Sequence, residues 1–167
     1  GKNIEAVKVF EDGKRMLERI FELNLLSING VYGFFKARST DEKVELLDSN
    51  VKFSFPRQLV DKSKPNLCLA DFISPNGDDN IGLFAVTAGH GLEEIVNNYE
   101  KDFDDYNSIM VKVIADRLAE AATEWLHEKV RKKDWGYAPE ENFNNEELIK
   151  EKYVGIRPAP GYPSCPD

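Results

Sequence analysis

The residues best placed to do chemistry lie in one run at the chain's end: Arg157, Pro158, Ala159, Pro160, Gly161, Tyr162, Pro163, Ser164, Cys165, Pro166 and Asp167. Proline fixes φ and donates no backbone hydrogen bond, so this run can be neither helix interior nor central strand. Each residue before a proline is driven toward extended geometry. The result is a stiff loop carrying a cation (Arg157), an aromatic hydroxyl (Tyr162) and carbonyls left over for a ligand. Composition alone also fits a proline-rich linker.

A second group of candidates falls on the stretch from Asp104 to Lys132. At about 100° per residue, Tyr106, Ile109, Met110, Val113, Leu118, Ala121 and Trp125 gather on one broad arc, which predicts the buried face. Arg117, Glu120 and Glu124 project onto that same arc. Unpaired charges buried there would cost several kcal/mol, so they must pair, reach water or meet a ligand. Arg117 paired with Glu120 or Glu124 is the structural reading; a pocket wall is the functional one.

Other motifs fail on their chemistry. His127-Glu128 opens like a zinc-protease helix, but Arg131 stands where the second ligand is required. No Cys-x-x-Cys occurs and His90 has no partner at ligand spacing, so no metal site is expected. Gly89-His90-Gly91 lacks the lysine of a phosphate loop. Ser164 and Cys165 have no adjacent base, so no catalytic nucleophile is expected and Cys165 reads as a small loop residue.

The elements that must position these groups follow from periodicity. Ile4 to Asn24 has helical spacing. Val31–Arg38 and Lys43–Leu47 flank a polar turn and read as a β-hairpin. Leu67–Ser74 and Ile81–Ala88 flank the turn cluster Pro75 to Asp79, and their near-continuous apolar character predicts central strands covered on both faces. Leu92 to Lys101 reads as a short helix. No repeat appears and no linker divides the chain.

The 167 residues suit one domain with a sizeable core, and a hydrophobic share of 41% beside 31% charged residues reads as globular. A net charge of −8 argues against a nucleic-acid binder, which would show a basic face. No apolar run approaches the roughly 20 residues of a membrane span, and no signal peptide is visible. Two cysteines make no disulfide framework, so a reducing cytoplasm is the simplest setting.

Several segments together resemble a known family. GIRPAPGYPSCPD (Gly155 to Asp167) looks like the signature of the activation domain of cobalamin-dependent methionine synthase, the module that binds S-adenosylmethionine. LCLADFIS (Leu67 to Ser74) and IGLFAVTAG (Ile81 to Gly89) resemble its central strands. DDYNSIMVKVIADRLAEAATEWLHEKVRK (Asp104 to Lys132) resembles its long helix, and Trp135 to Pro163 the segment leading into its ligand loop. The motifs fall in order over roughly the C-terminal two-thirds of the chain; Gly1 to Phe55 match in pattern alone.

The resemblance implies a single α+β domain over residues 1–167, with an antiparallel-rich central sheet, a long packed helix and a C-terminal Pro-rich ligand loop. It implies that Arg157, Ala159, Glu120 and Tyr162 bind S-adenosylmethionine. A carboxylate suits the bidentate fork of Arg157, and the ammonium or sulfonium suits Glu120 and the loop carbonyls. The backbone of Ala159, between two prolines, is held before any ligand arrives. Tyr162 is expected to face the corrin of cobalamin carried by a neighbouring module.

By the same resemblance, the parent enzyme methylates homocysteine from methyltetrahydrofolate. The domain presents S-adenosylmethionine to oxidised cob(II)alamin while a flavodoxin-type or flavoprotein reductase supplies the electron. The chain would then be part of a methyltransferase without being catalytic by itself. Its partners would be the cobalamin-binding module and the electron donor, with no nucleic acid and no membrane. Family members continue past both ends, with a Trp-containing segment bearing an aspartate before and a His-Thr pair after. The chain is therefore expected to be truncated at both ends and to bind the ligand weakly alone. The alternative is a docking module for the cobalamin domain and the electron donor that binds no ligand. A free-standing methyltransferase is disfavoured, because no glycine-rich strand-to-helix loop appears.

Overall fold

The computed structural model describes residues 2–59, 63 and 65–166. The chain runs α1 (Lys2–Glu22), β1 (Ser27–Thr40), β2 (Lys43–Leu46), β3 (Lys52–Ser54), a 3-10 turn (Leu69–Phe72), β4 (Asp79–His90), α2 (Leu92–Lys101), α3 (Asp105–Lys129), a π-helical turn (Val130–Asp134) and α4 (Asn145–Ile149). The fold is α+β, with a long helix and one four-stranded sheet in the order β3-β2-β1-β4. No helix among the described residues is long and apolar enough to cross a membrane.

The expected hairpin forms. β1 pairs antiparallel with β2 from Ala37↔Leu46 to Thr40↔Lys43, and β2 pairs antiparallel with β3 from Lys43↔Ser54 to Glu45↔Lys52. Asp41 closes the first turn at φ 52°, in the left-handed region that Asp tolerates better than most residues. β1 starts four residues earlier than its apolar pattern suggested, at Ser27.

Packing divides the chain into two compact units. One comprises residues 1–31 and 85–152, the other residues 32–84 and 153–167. In the first, Met16 and Ile20 of α1, Val96 of α2 and Val111 of α3 form the buried centre, flanked by Leu25, Leu92, Ile95 and Ile114. Gly91 begins α2 at φ 94°, and a Cβ there would come within 2.3 Å of the Leu25 carbonyl oxygen, so the approach requires glycine. In the second, Ala37, Val44, Leu46, Phe55, Cys68, Ala70 and Cys165 form the core, with Phe53, Leu69, Ile73, Ile81 and Leu83 packed on it.

Three expectations are corrected. Leu67–Ser74 is not a strand: Leu69–Phe72 is a 3-10 turn. The Asp71 carboxylate accepts the Cys68 backbone N–H at 2.9 Å, the Asp71 N–H returns to the Cys68 carbonyl at 3.1 Å, and Arg57 holds both Asp71 oxygens at 2.7 Å. A local side chain thus supplies the backbone with a partner that a sheet would otherwise provide. Second, β4 is not covered on both faces. Ile81 and Leu83 are half-buried, but Gly82, Phe84, Ala85, Thr87 and Gly89 are exposed. Gly and Ala lengthen an apolar run without adding bulk to bury.

Third, α3 buries a different face. Ser108, Val111, Ala115 and Leu126 point inward, whereas Tyr106, Ile109, Val113 and Trp125 of the expected arc are exposed, Ile109 by 62% and Trp125 by 63%. The helix carries apolar residues on more than one side. Ser108 and Ala115 permit close packing on the inner face beside Val111 and Leu126, while Tyr106, Ile109, Val113 and Trp125 stand outside it. α3 itself forms as expected: the Asp104 side chain caps it by accepting the Asn107 N–H at 3.0 Å.

Candidate functional site

The terminal loop belongs to the second unit. Its chain is irregular until a tight reversal at its end. Gly161 stands at φ 96°, in the left-handed region, with nothing within 4 Å of where its Cβ would lie. The Gly161 N–H donates to the Cys165 carbonyl at 2.8 Å, and the Cys165 N–H donates to the Tyr162 carbonyl at 2.9 Å. Tyr162 and Cys165 thereby form an isolated antiparallel bridge across Pro163-Ser164. The prolines forbid a ladder, so the loop closes on these few donors.

Exposure sorts the loop's residues. Pro158, Ala159 and Pro160 are exposed, and Tyr162 presents 65% of its surface. Arg157 is half-buried, with its Nη1 nitrogen sealed from solvent. Cys165 is buried in the core that also holds Cys68 and Phe55. Both cysteines are reduced. Arg157, Ala159 and Tyr162 therefore share one loop: a partly sheltered guanidinium, a backbone held between two prolines and an outward aromatic ring.

Glu120 lies in the first unit, on α3. Its carboxylate accepts a hydrogen bond from Arg117 Nη1 at 2.8 Å, and both side chains are well exposed. The charges of this face stand on solvent rather than on an apolar arc, and the ion pair that the sequence offered as the structural reading is formed.

Two features escaped the sequence. The first is a nearly solvent-free ion pair: Arg131 Nε and Nη2 donate to Glu141 Oε2 and Oε1 at 2.7 and 2.5 Å, with side chains 1% and 4% exposed. Arg131 holds the carboxyl of Glu141 below its usual range. It sits in the π-helical turn, and its carbonyl accepts the Ala138 N–H at 2.9 Å, so the segment after α3 is pinned by backbone and side chain together. No local pattern joins residues ten apart across an irregular turn. The second is the burial of Cys165, whose place in the sequence suggests no more than a small loop residue. Its signal was its chemistry, since a thiol is among the side chains most often buried.

The α+β frame is matched by known proteins. A family model described as the vitamin B12 dependent methionine synthase activation domain matches residues 1–167. The chain belongs to this family. It is also similar to a solved structure, the crystal structure of the MetH reactivation domain bound to AdoHcy, at 45% sequence identity and a TM-score of 0.89. That match covers 98% of this chain and 53% of the other, so the chain spans about half the length of that relative. The four-stranded sheet and long helix are those of the methionine synthase reactivation-domain fold.

Proposed function

We propose that this activation domain binds S-adenosylmethionine and presents its methyl group for the reductive methylation of cob(II)alamin carried by a neighbouring module. The observation that carries the reading is the 45% identical relative bound to AdoHcy. S-adenosylhomocysteine is what remains when S-adenosylmethionine gives up its sulfonium methyl, so a fold that holds one holds the frame of the other.

The chain's own residues suit the ligand's polar handles. Arg157, half-buried, offers a planar fork to the amino-acid carboxylate. The backbone at Ala159, fixed between prolines, offers a carbonyl to the ammonium without ordering cost. Glu120 supplies a negative charge for the cationic end, exchanging its bond with Arg117. Tyr162, projecting outward, would face the corrin of a docked cobalamin. Cobalamin, when docked, supplies the metal that accepts the methyl group; one methyl cation and one electron are consumed per reactivation, the electron from a flavodoxin-type or flavoprotein donor. The domain is part of a methyltransferase, and its own part is binding and orientation.

The test is calorimetric titration of the whole protein with S-adenosylmethionine. Arg157→Ala is expected to weaken binding by about 2 kcal/mol, roughly 30-fold, the loss of a charge-assisted bidentate pair. Unchanged affinity removes Arg157 from the site, and no binding by the unaltered protein favours a docking module without a ligand.

A further inference from the structure

The terminal loop must hold Arg157, Ala159 and Tyr162 in place although it has almost no regular structure. Val154, Ile156, Pro158, Ala159, Pro160, Gly161, Tyr162, Pro163 and Ser164 are all exposed. Four prolines remove four backbone donors, and the reversal at Gly161–Cys165 is closed by hydrogen bonds that begin and end within the loop. Such bonds shape the turn but do not attach it to anything. A buried anchor comes next in the chain. Cys165, 6% exposed, inserts into the core formed by Ala37, Val44, Leu46, Phe55, Cys68 and Ala70.

We propose that Cys165 is a positioning residue: its buried side chain latches the Tyr162–Cys165 reversal onto the core of the second unit, and ligand affinity depends on that latch being closed. The inference rests on the ligand reading above. The bridge makes the coupling direct, because the Cys165 N–H holds the Tyr162 carbonyl and the Cys165 carbonyl holds the Gly161 N–H. Moving Cys165 out of the core moves both partners. When the latch opens, Ala159 and Tyr162 lose their fixed place, and a ligand that contacts them selects the latched state. The thiol suits the task by being small, apolar and easily accommodated where four prolines prevent a longer anchor from being reached by local backbone adjustment.

The coupling is readable at the thiol itself. In the whole protein, alkylation of Cys165 by N-ethylmaleimide is followed by peptide mass spectrometry with and without saturating S-adenosylhomocysteine. The ligand is expected to slow modification of Cys165 at least fivefold. Cys68, in the same core but outside the loop, serves as the reference for opening of the unit as a whole and is expected to react more slowly than Cys165. Cys165→Ser, which places a hydroxyl among apolar side chains, is expected to weaken S-adenosylhomocysteine binding at least tenfold and to speed amide exchange at Gly161. Cys165→Ala keeps the site apolar and is expected to stay within threefold of the unaltered protein.

Equal alkylation rates of Cys165 with and without bound ligand overturn the proposal, as does unaltered Gly161 exchange in Cys165→Ser. If the unaltered protein binds no S-adenosylhomocysteine, the ligand reading falls while the exchange comparison still decides the latch. If Cys165→Ser makes Cys68 reactive, the core itself has opened, and ligand protection of the unaltered thiol decides alone.

Discussion

Arg131 and Glu141 meet through two parallel hydrogen bonds in a setting almost closed to water. The pair joins the π-helical turn after α3 to the irregular segment that follows it. A buried ion pair gains little over an apolar pair of similar volume, because removing two charges from water is costly. Its value here is geometric, since the fork of Arg131 accepts one orientation of the carboxylate.

Removing either partner alone strands the other charge. Arg131→Ala and Glu141→Ala are each expected to cost about 3–5 kcal/mol of stability. The double replacement Arg131→Met with Glu141→Leu is expected to cost far less than the sum. Chemical denaturation of the four proteins makes the comparison, and strict additivity would mean the two side chains do not depend on each other.

The second unit contains an acid-sensitive contact. Arg57, by its paired hydrogen bonds, and then the Cys68 N–H hold the Asp71 carboxyl at about 2, below its ordinary 3.8. A depressed carboxylate contributes stability that is present above its unfolded pKa and lost as pH falls through the folded one. Asp71 therefore supports the 3-10 turn fully above about pH 4 and releases it between there and about pH 2. Asp71→Asn is expected to flatten this part of the acid-unfolding curve; an identical curve would show that the contact does not govern it.

Phe103 occupies a place usually given to glycine. Its N–H donates to the Glu100 carbonyl at 3.2 Å and the Asp104 N–H to the Tyr99 carbonyl at 2.9 Å, the paired bonds that end a helix with one left-handed residue. That residue is Phe103, at φ 56° and 92% exposed. It gives up backbone comfort without packing in return. Phe103→Gly is expected to stabilise the α2–α3 connection by about 1 kcal/mol, the cost of the left-handed conformation for a residue with a Cβ. Thermal unfolding reads the sign; a destabilised variant would mean that the ring makes a contact in solution.

Much of the frame was legible because it rests on local periodicity. The helices from Lys2 to Glu22 and from Leu92 to Lys101 follow their apolar spacing, and the hairpin at Asp41 follows from a polar turn between two strand-like runs. Apart from the exposed face of β4, the misses share a cause: a non-local partner decided the outcome. Leu67–Ser74 is apolar enough for a strand until Arg57 fixes Asp71 in a turn. The inward face of α3 depends on which side its neighbours fill, and with apolar residues on several sides the helix alone does not say. In the candidate site, the loop's stiffness was visible in its prolines, whereas its attachment through Cys165 was not, because burial of one thiol is a property of the core it enters.

Glu120 offers the sharpest separation of structural from ligand roles. Its bond to Arg117 joins two exposed side chains three residues apart on one helix. Such pairs contribute about 0.2–0.5 kcal/mol, so Arg117→Ala and Glu120→Gln are each expected to change stability by no more than that. Their effects on ligand binding should diverge. Losing Arg117 leaves the Glu120 carboxylate available to the cationic end of S-adenosylmethionine and is expected to leave affinity equal or slightly higher. Glu120→Gln removes the charge and is expected to weaken binding about tenfold, the 1.4 kcal/mol equivalent of one charge-assisted contact. Parallel titrations of the two variants decide the matter: equal, small effects would return Glu120 to the status of a surface ion pair and leave the ligand to the loop of Arg157, Ala159 and Tyr162.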